Sequence, residues 1–241
     1  MAKSMRPVEH AAATVVLVHG AWADGSSWSD VIAHLQDKGS EVVSVQNPLQ
    51  SLSGDVAAVN RAIERASGPV VLVGHSWGGT VITQAGHSAK VGALVYVAAF
   101  APDIGESTND LQKDGPAPAY ASLLEVDAEG FLWFPQADLP HWFAQDLPSA
   151  HAMVLAAAQN PVHAAVFDEK VAQAAWRSKP SWYLLTAEDR MIAPDLQRIM
   201  ATRIAARTTV VHSSHVPLIS HPRETAALIL EAAGATAAQH G

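Results

Sequence analysis

Apolar positions along the chain follow two alternating patterns. Short continuous apolar runs end on glycine or a small polar residue, and between them apolar residues recur at helical spacing. The first run is "TVVLVHG" (14–20). In "SSWSDVIAHLQDKG", Trp28, Val31, Ile32 and Leu35 fall at i, i+3, i+4 and i+7, one face of a helix. Ser27 with Asp30 predicts a capping box there, and Gly39 predicts the stop. "EVVSVQNP" (41–48) reads as the next strand, closed by Asn47-Pro48. "DVAAVNRAIERASGP" reads as a second helix, with Val56, Val59 and Ile63 on one face and Ser67-Gly68-Pro69 as its breaker. "VVLVGHS", a helix over about 77–90 and "GALVYVAAF" (92–100) continue the alternation. Strands apolar on both faces and joined by helices predict a parallel sheet covered on both sides.

The pattern stops near Pro102 and resumes at "SWYLLTAED" (181–189). A helix begun by Pro194 (Leu196, Ile199, Met200), a strand at 208–214 and a helix at about 222–233 complete six parallel strands. The alanine-rich tail from Gly234 is expected to fray. The interval between is rich in proline and in clustered aromatics. Its "LLEVDAEGFLWF" predicts a hairpin turning over 127–130, and short helices follow at 139–147, 149–159 and 164–177. The expected organisation is a core of residues 1–102 and 179–241, with a mostly helical lid, 103–178, inserted after the fourth strand.

Composition narrows the function classes. The chain of 241 residues suits one domain with a sizeable core. It is 49% hydrophobic and 16% charged, the balance of a folded globular chain. The net charge of −8 and the lack of a basic patch argue against nucleic acid or an anionic membrane as partner. With no cysteine, disulfides, thiolate metal sites and a cysteine nucleophile are excluded. No apolar run approaches the roughly 20 residues that span a bilayer. At the N-terminus Lys3 and Arg6 precede an apolar stretch that Glu9 and His10 interrupt. It reads as a loose tail and a strand, not a secretory leader, which leaves the cytoplasm as the default compartment.

The chemistry concentrates in "VVLVGHSWGGT" (70–80). Gly-x-Ser-x-Gly between an apolar strand and a helix is the pattern of a nucleophile elbow. Small residues at Gly74 and Gly78 clear the way for a tight turn that lifts Ser76 above the sheet edge. The backbone N–H of Trp77 then faces a developing oxyanion. A serine needs a base, and the base an orienting carboxylate. In this context the order is serine, acid, histidine, each just after a strand. Asp189 and His215 meet that condition; Glu188 is the rival acid, and an Arg190 salt bridge is the alternative role for Asp189. Among the twelve histidines, His19 and His75 suit structural hydrogen bonding, His212 a packed strand face, and His221 a cap position. His141, His151 and His163 do not stand at metal-ligand spacing. His10, His34 and His87 read as surface residues. The second oxyanion donor is expected after the first strand, in "HGAW", from the N–H of Ala21 with Trp22 as rival. The chemistry calls for no metal and no cofactor.

Several segments together resemble the α/β-hydrolase superfamily: "VVLVHGAWADGSSW", "VVLVGHSWGGTVI", "VAAFAPDIGES", "TAEDRMIAP" and "SSHVPLISHP". The likeness covers roughly 14–233 and is nearest to the branch of small serine esterases, with bacterial carboxyl- and arylesterases, plant methyl esterases and hydroxynitrile lyases. It implies an α/β-hydrolase fold, a triad of Ser76, Asp189 and His215, and an oxyanion hole of the Ala21 and Trp77 amides. The cyanohydrin-cleaving members carry a lysine where this chain has Val216 and a threonine where it has Gly20, so lyase chemistry is disfavoured. The expected activity is hydrolysis of small to medium apolar carboxylic esters through an acyl-enzyme. Hydroxynitrile lyase chemistry, cofactor-free peroxidase activity and a non-catalytic small-molecule receptor stay open as alternatives. Trp22 and Trp77 are expected to flank the nucleophile, with Trp133, Phe134, Trp142 and Phe143 reaching the substrate pocket from the lid. An exposed apolar strip could pair two chains as a homodimer, but no pattern in the sequence marks one.

Overall fold

The computed structural model describes residues 13–113, 115 and 117–239; the N-terminal stretch with Lys3, Arg6, Glu9 and His10 lies outside the described residues. β1 (Thr14–Val18) is buried along its whole length, as a strand covered on both faces must be. After it comes a 3₁₀ turn, Gly25–Trp28, and only then α1 (Ser29–Gln36). The expected capping box of Ser27 and Asp30 does not form. Asp24 accepts from the Ser26 N–H at 2.7 Å and so starts the turn earlier, with Trp28 packed inside it. β2 (Val42–Val45) leads to α2 (Leu52–Arg65), which begins ahead of the expected start because Ser51 Oγ caps it at Gly54 N. β3 (Val70–His75) leads into α3 (Trp77–Ala85), which stops at Gly86 rather than near Lys90. β4 (Val91–Val97) follows.

The interval after β4 opens with α4 (Thr108–Gln112), closed by a capping box of Ser107 and Asp110. The expected hairpin is present as β5 (Glu125–Val126) against β6 (Phe131–Trp133). Asp127 Oδ1 accepts from Glu129 N and Phe131 N in its turn. α5 (Leu139–Phe143) and α6 (Ser149–Ala158) come next. β7 (Val162–His163) pairs with β6, an element absent from the sequence reading. The helix expected over 164–177 does not form; 3₁₀ turns at Ala164–Asp168 and Ala175–Arg177 stand there. Its amide donors are taken by other partners: Val171 N by Glu106 O, and Ala172 N and Gln173 N by Gln84 Oε1 on α3.

The core resumes with β8 (Ser181–Thr186), α7 (Pro194–Arg203) and β9 (Arg207–Val211). A one-turn α8 (Pro217–Ser220) precedes α9 (Pro222–Gln239). α9 runs through the tail expected to fray, because Thr236 is buried against Gly92, where a Cβ would meet its Cγ2 at 2.3 Å. The six core strands lie in the order β2-β1-β3-β4-β8-β9, every pair parallel. Parallel strands share one C-terminal edge, and loops from that edge meet there. Four non-glycine residues in the left-handed region stand on it: Trp22 after β1, Leu49 after β2, Ser76 after β3 and Ala98 after β4. Among the described residues, no helix is long and apolar enough to cross a membrane.

Candidate active site

Ser76 ends β3 with φ 52° and ψ −121°, a conformation that L residues adopt only under constraint. Its N–H donates to Val97 O at 3.2 Å, and its carbonyl accepts from Gly79 N (3.0 Å) and Phe100 N (3.2 Å). The surrounding glycines are required by contact. A Cβ at Gly74 would lie 2.5 Å from Gly78 O, and one at Gly78 would lie 2.4 Å from Val18 O. At Gly20 it would lie 2.6 Å from Ser76 Cβ. The loop after β1 therefore presses directly on the serine. Ser76 Oγ forms no hydrogen bond with any described residue.

Asp189 and His215 stand together on the same edge. His215 Nδ1 donates to Asp189 Oδ2 at 2.8 Å, and both side chains are buried. Asp189 is heavily held: Oδ1 accepts from Met191 N (2.7 Å) and Ile192 N (3.0 Å), and Oδ2 from Thr186 Oγ1 (2.9 Å) and Gln197 Nε2 (2.8 Å). The rival acid is elsewhere: Glu188 is exposed, with Oε1 3.6 Å from His212 Nδ1. His212 is itself exposed, not packed on a strand face as the sequence led us to expect. Arg190 turns away from Asp189 to donate to His141 O at 2.8 Å.

Two further histidines brace the edge. His75 Nε2 is 2.8 Å from His215 O, a carbonyl that can only accept, so the ring proton is on Nε2. This bond ties the residue before Ser76 to the loop that carries His215. Burial, then the adjacent His215, hold the His75 imidazole well below its ordinary range, so it is neutral. His19 Nε2 accepts from Asn47 N (2.9 Å), which places its proton on Nδ1, facing Gly20 O at 2.9 Å. Burial lowers this ring too. Phe143 packs its ring 5.1 Å from that of His215. Among the described residues, no group of three or more His, Asp or Glu side chains is arranged to hold a metal ion.

Ser76 opens into a cavity of about 300 Å³. Its walls are mostly apolar: Trp22, Phe100, Leu124, Leu132, Phe167, Met191 and Ile192, with Ala21 and Tyr120 on the same lining. Asn109 and Asp168, joined at 2.8 Å, supply polar groups. The Ala21 and Trp77 backbone N–H groups donate to no described residue, and that of Trp77, the first residue of α3, has no partner within its own helix.

The sequence matches the alpha/beta hydrolase family over residues 15–228. The chain belongs to that family. Among relatives of this hydrolase, the probable hydrolase R7 of Phoma sp. is 28% identical over 91% of this chain and 98% of its own length. The carbendazim hydrolyzing esterase of Nocardioides sp. is 36% identical over a shorter stretch, 39% of this chain and 45% of its own. Among solved structures, the pyrethroid hydrolase of Sphingobium faniae superposes with a TM-score of 0.79 at 21% identity, covering 92% of this chain and 98% of that one.

The cavity of this hydrolase differs from the sequence expectation. Of the five aromatics assigned to the pocket, Trp22 lines it. Its indole N–H donates to Leu132 O, and that bond docks the hairpin on the core. Trp133 is exposed and donates to Asp127 Oδ2 in the hairpin turn. Phe134 and Phe143 are buried behind the wall, and Trp142 packs 6.5 Å from Tyr120. The Trp77 indole points away from Ser76, donating to Asp55 Oδ2 at 2.7 Å. Sequence reasoning missed Gln197, Tyr120, Phe167 and Asp55, whose positions carry no motif. Gln197 alone had a signal, as a polar residue on the turn of α7 facing the strand end.

Proposed function

We propose that this alpha/beta hydrolase is a serine carboxylesterase acting on small to medium, largely apolar esters. The fold, together with relatives named hydrolase and esterase, makes it an esterase-type enzyme. The serine route is our reading. The observation that carries it is the buried 2.8 Å Asp189–His215 pair, tied through His75 to the strained Ser76 at the cavity wall.

In this mechanism the Asp189 bond holds the His215 proton on Nδ1 and leaves Nε2 free as base. His215 Nε2 takes the Ser76 proton while Oγ attacks the ester carbonyl. The Ser76–His215 hydrogen bond closes on substrate binding, as such contacts commonly do in enzymes. The tetrahedral oxyanion is held by the unpaired Ala21 and Trp77 amides. His215 returns its proton to the leaving alcohol, and the acyl group stays on Ser76. Water, deprotonated by His215, then releases the acid and regenerates the serine. Residues 103–178 act as a lid that shapes the cavity and excludes water. Val216 and Gly20 supply no cation or hydroxyl beside the serine, which disfavours the lyase alternative.

The test is hydrolysis of 4-nitrophenyl acetate and butyrate by wild type and Ser76→Ala, with a fluorophosphonate probe mapped by mass spectrometry. Turnover that falls by more than about 10³-fold in the variant, with the probe on Ser76, is the expected result. A folded wild type that neither turns over nor takes the label overturns the reading.

A further inference from the structure

Tyr120 belongs to the 3₁₀ turn Ala119–Leu123 and lines the same cavity as Ser76. Its ring is fixed on three sides. It stacks on Phe134 at 5.8 Å between centroids and meets Trp22 edge-on at 6.3 Å and Trp142 at 6.5 Å. Only 8% of the residue is exposed, and its hydroxyl forms no hydrogen bond with any described residue and is not fully buried, so it stays open to water. A phenol O–H without a protein partner is satisfied by water for as long as water reaches it. Leu124 and Leu132, on the same lining, offer it no partner.

Burial, reinforced by the Asp189 carboxylate, raises the phenol above its ordinary range, so it stays a neutral donor wherever the enzyme works. The same carboxylate disfavours an anion as its partner. An apolar ester that fills the cavity strips water from this hydroxyl and leaves a buried donor unpaired. An ester with an acceptor at that place keeps the donor satisfied. Sites built around such a donor discriminate more sharply than purely apolar ones.

We propose that Tyr120 is a specificity-determining hydrogen-bond donor, and that the cavity selects neutral esters carrying an acceptor, such as a ketone or ether oxygen, remote from the scissile carbonyl. The proposal rests on Ser76 being the nucleophile of this cavity. It deepens the esterase reading by naming a substrate class.

The experiment compares matched phenyl esters: 4-oxopentanoate with 4-methylpentanoate, and 3-methoxypropanoate with pentanoate. For each pair kcat and KM are measured on wild type, Tyr120→Phe and Ser76→Ala. Tyr120→Phe removes one oxygen and keeps the ring packing. Comparing the acceptor-to-alkyl ratio of kcat/KM between enzymes cancels the intrinsic reactivity of each ester. In at least one pair Tyr120→Phe is expected to lower kcat/KM on the acceptor ester about five- to tenfold, while the alkyl ester is unchanged or faster. A ratio that stays within about twofold in both pairs overturns the Tyr120 role. An equal loss on both esters of each pair overturns it too, as the mark of a merely structural residue. If Ser76→Ala still abolishes turnover in those cases, the esterase reading stands. Turnover that survives Ser76→Ala, or a wild type inert to all four esters, removes both.

Discussion

At the residue scale, the site is set by how close backbone comes to backbone. Gly20 is the sharpest case, since a Cβ there would lie 2.6 Å from Ser76 Cβ and 3.2 Å from His75 Nδ1. Nothing rigid yields by that much, so the serine turn would have to shift. Gly20→Ala is expected to fold, to lose about 1–3 kcal/mol of stability, and to lose more than about tenfold in kcat. Denaturant melts and nitrophenyl ester kinetics read both effects; unchanged kcat would show that the contact does not position Ser76. "HGAW" in the sequence did not show what Gly20 approaches. Likewise two carboxylates, Glu188 and Asp189, stood side by side in the sequence. The turn after β8 decides between them, because Met191 and Ile192 amides converge on Asp189 alone.

At the element scale, strain and its restraint are built into the sheet edge. Trp22, Leu49, Ser76 and Ala98 each follow one of the four consecutive strands in a left-handed conformation. Such residues cost on the order of 1–3 kcal/mol each and persist only where their surroundings over-determine them. The loop after α5 adds one restraint on the histidine side. Asp146 Oδ2 accepts from Ser214 N (2.9 Å) and Ser213 Oγ (3.1 Å), just ahead of His215. Its neighbour Gln145 donates to Glu188 O at 2.7 Å, just ahead of Asp189. One short loop thus grips both chain segments of the Asp189–His215 pair. Burial raises the Asp146 carboxyl, and the serine donors outweigh it and hold the group below the ordinary carboxylate range. Asp146→Ala is expected to lower kcat and the rate of fluorophosphonate labelling about tenfold, with little change in KM, because a charged acceptor is lost from an amide that positions His215, the base of the proposed mechanism. A variant that labels at the wild-type rate would show that the grip is not needed. Nothing in the sequence marked this grip, because the partners of Gln145 and Asp146 lie more than 40 residues away.

At the scale of the whole molecule, one buried carboxylate joins three parts. Asp55 on α2 is fully buried beneath the elbow. Its Oδ2 accepts from the Trp77 indole at 2.7 Å and its Oδ1 from Leu49 N at 2.8 Å, while Leu49 O accepts from His163 N on β7. The Trp77 ring in turn meets Phe167 of the cavity wall at 5.7 Å. Burial pushes the Asp55 carboxyl up to about 6, against the pull of the Trp77 and Leu49 donors. Because the folded value is raised, the unfolded chain ionises first as pH climbs. Stability tied to this group is full below pH 4 and lost between about pH 4 and 6, a loss of about 3 kcal/mol at pH 7. In Asp55→Asn that pH dependence disappears. Urea unfolding at pH 4.5, 5.5 and 7.0 is expected to show the variant gaining on wild type as pH rises. A gap independent of pH would mean that the Asp55 carboxyl is not raised in the folded chain.

The order of the core strands and helices, the parallel sheet, and the placing of Ser76, Asp189 and His215 after core strands were determined by the sequence alone. These features live in local signals: runs of β-branched residues, helical spacing, and glycines flanking one serine. The tertiary structure decided what depends on distant neighbours. It replaced the expected 164–177 helix with 3₁₀ turns, because Gln84 and Glu106 take the amides that a helix would use. It carried α9 on to Gln239, because Gly92 makes room for Thr236. It turned Trp133 outward, Trp77 downward and Tyr120 into the cavity wall, because a side chain's direction follows from strand register and packing rather than from residue type. Residue types decided which chemistry was available; packing decided which side chains could reach it.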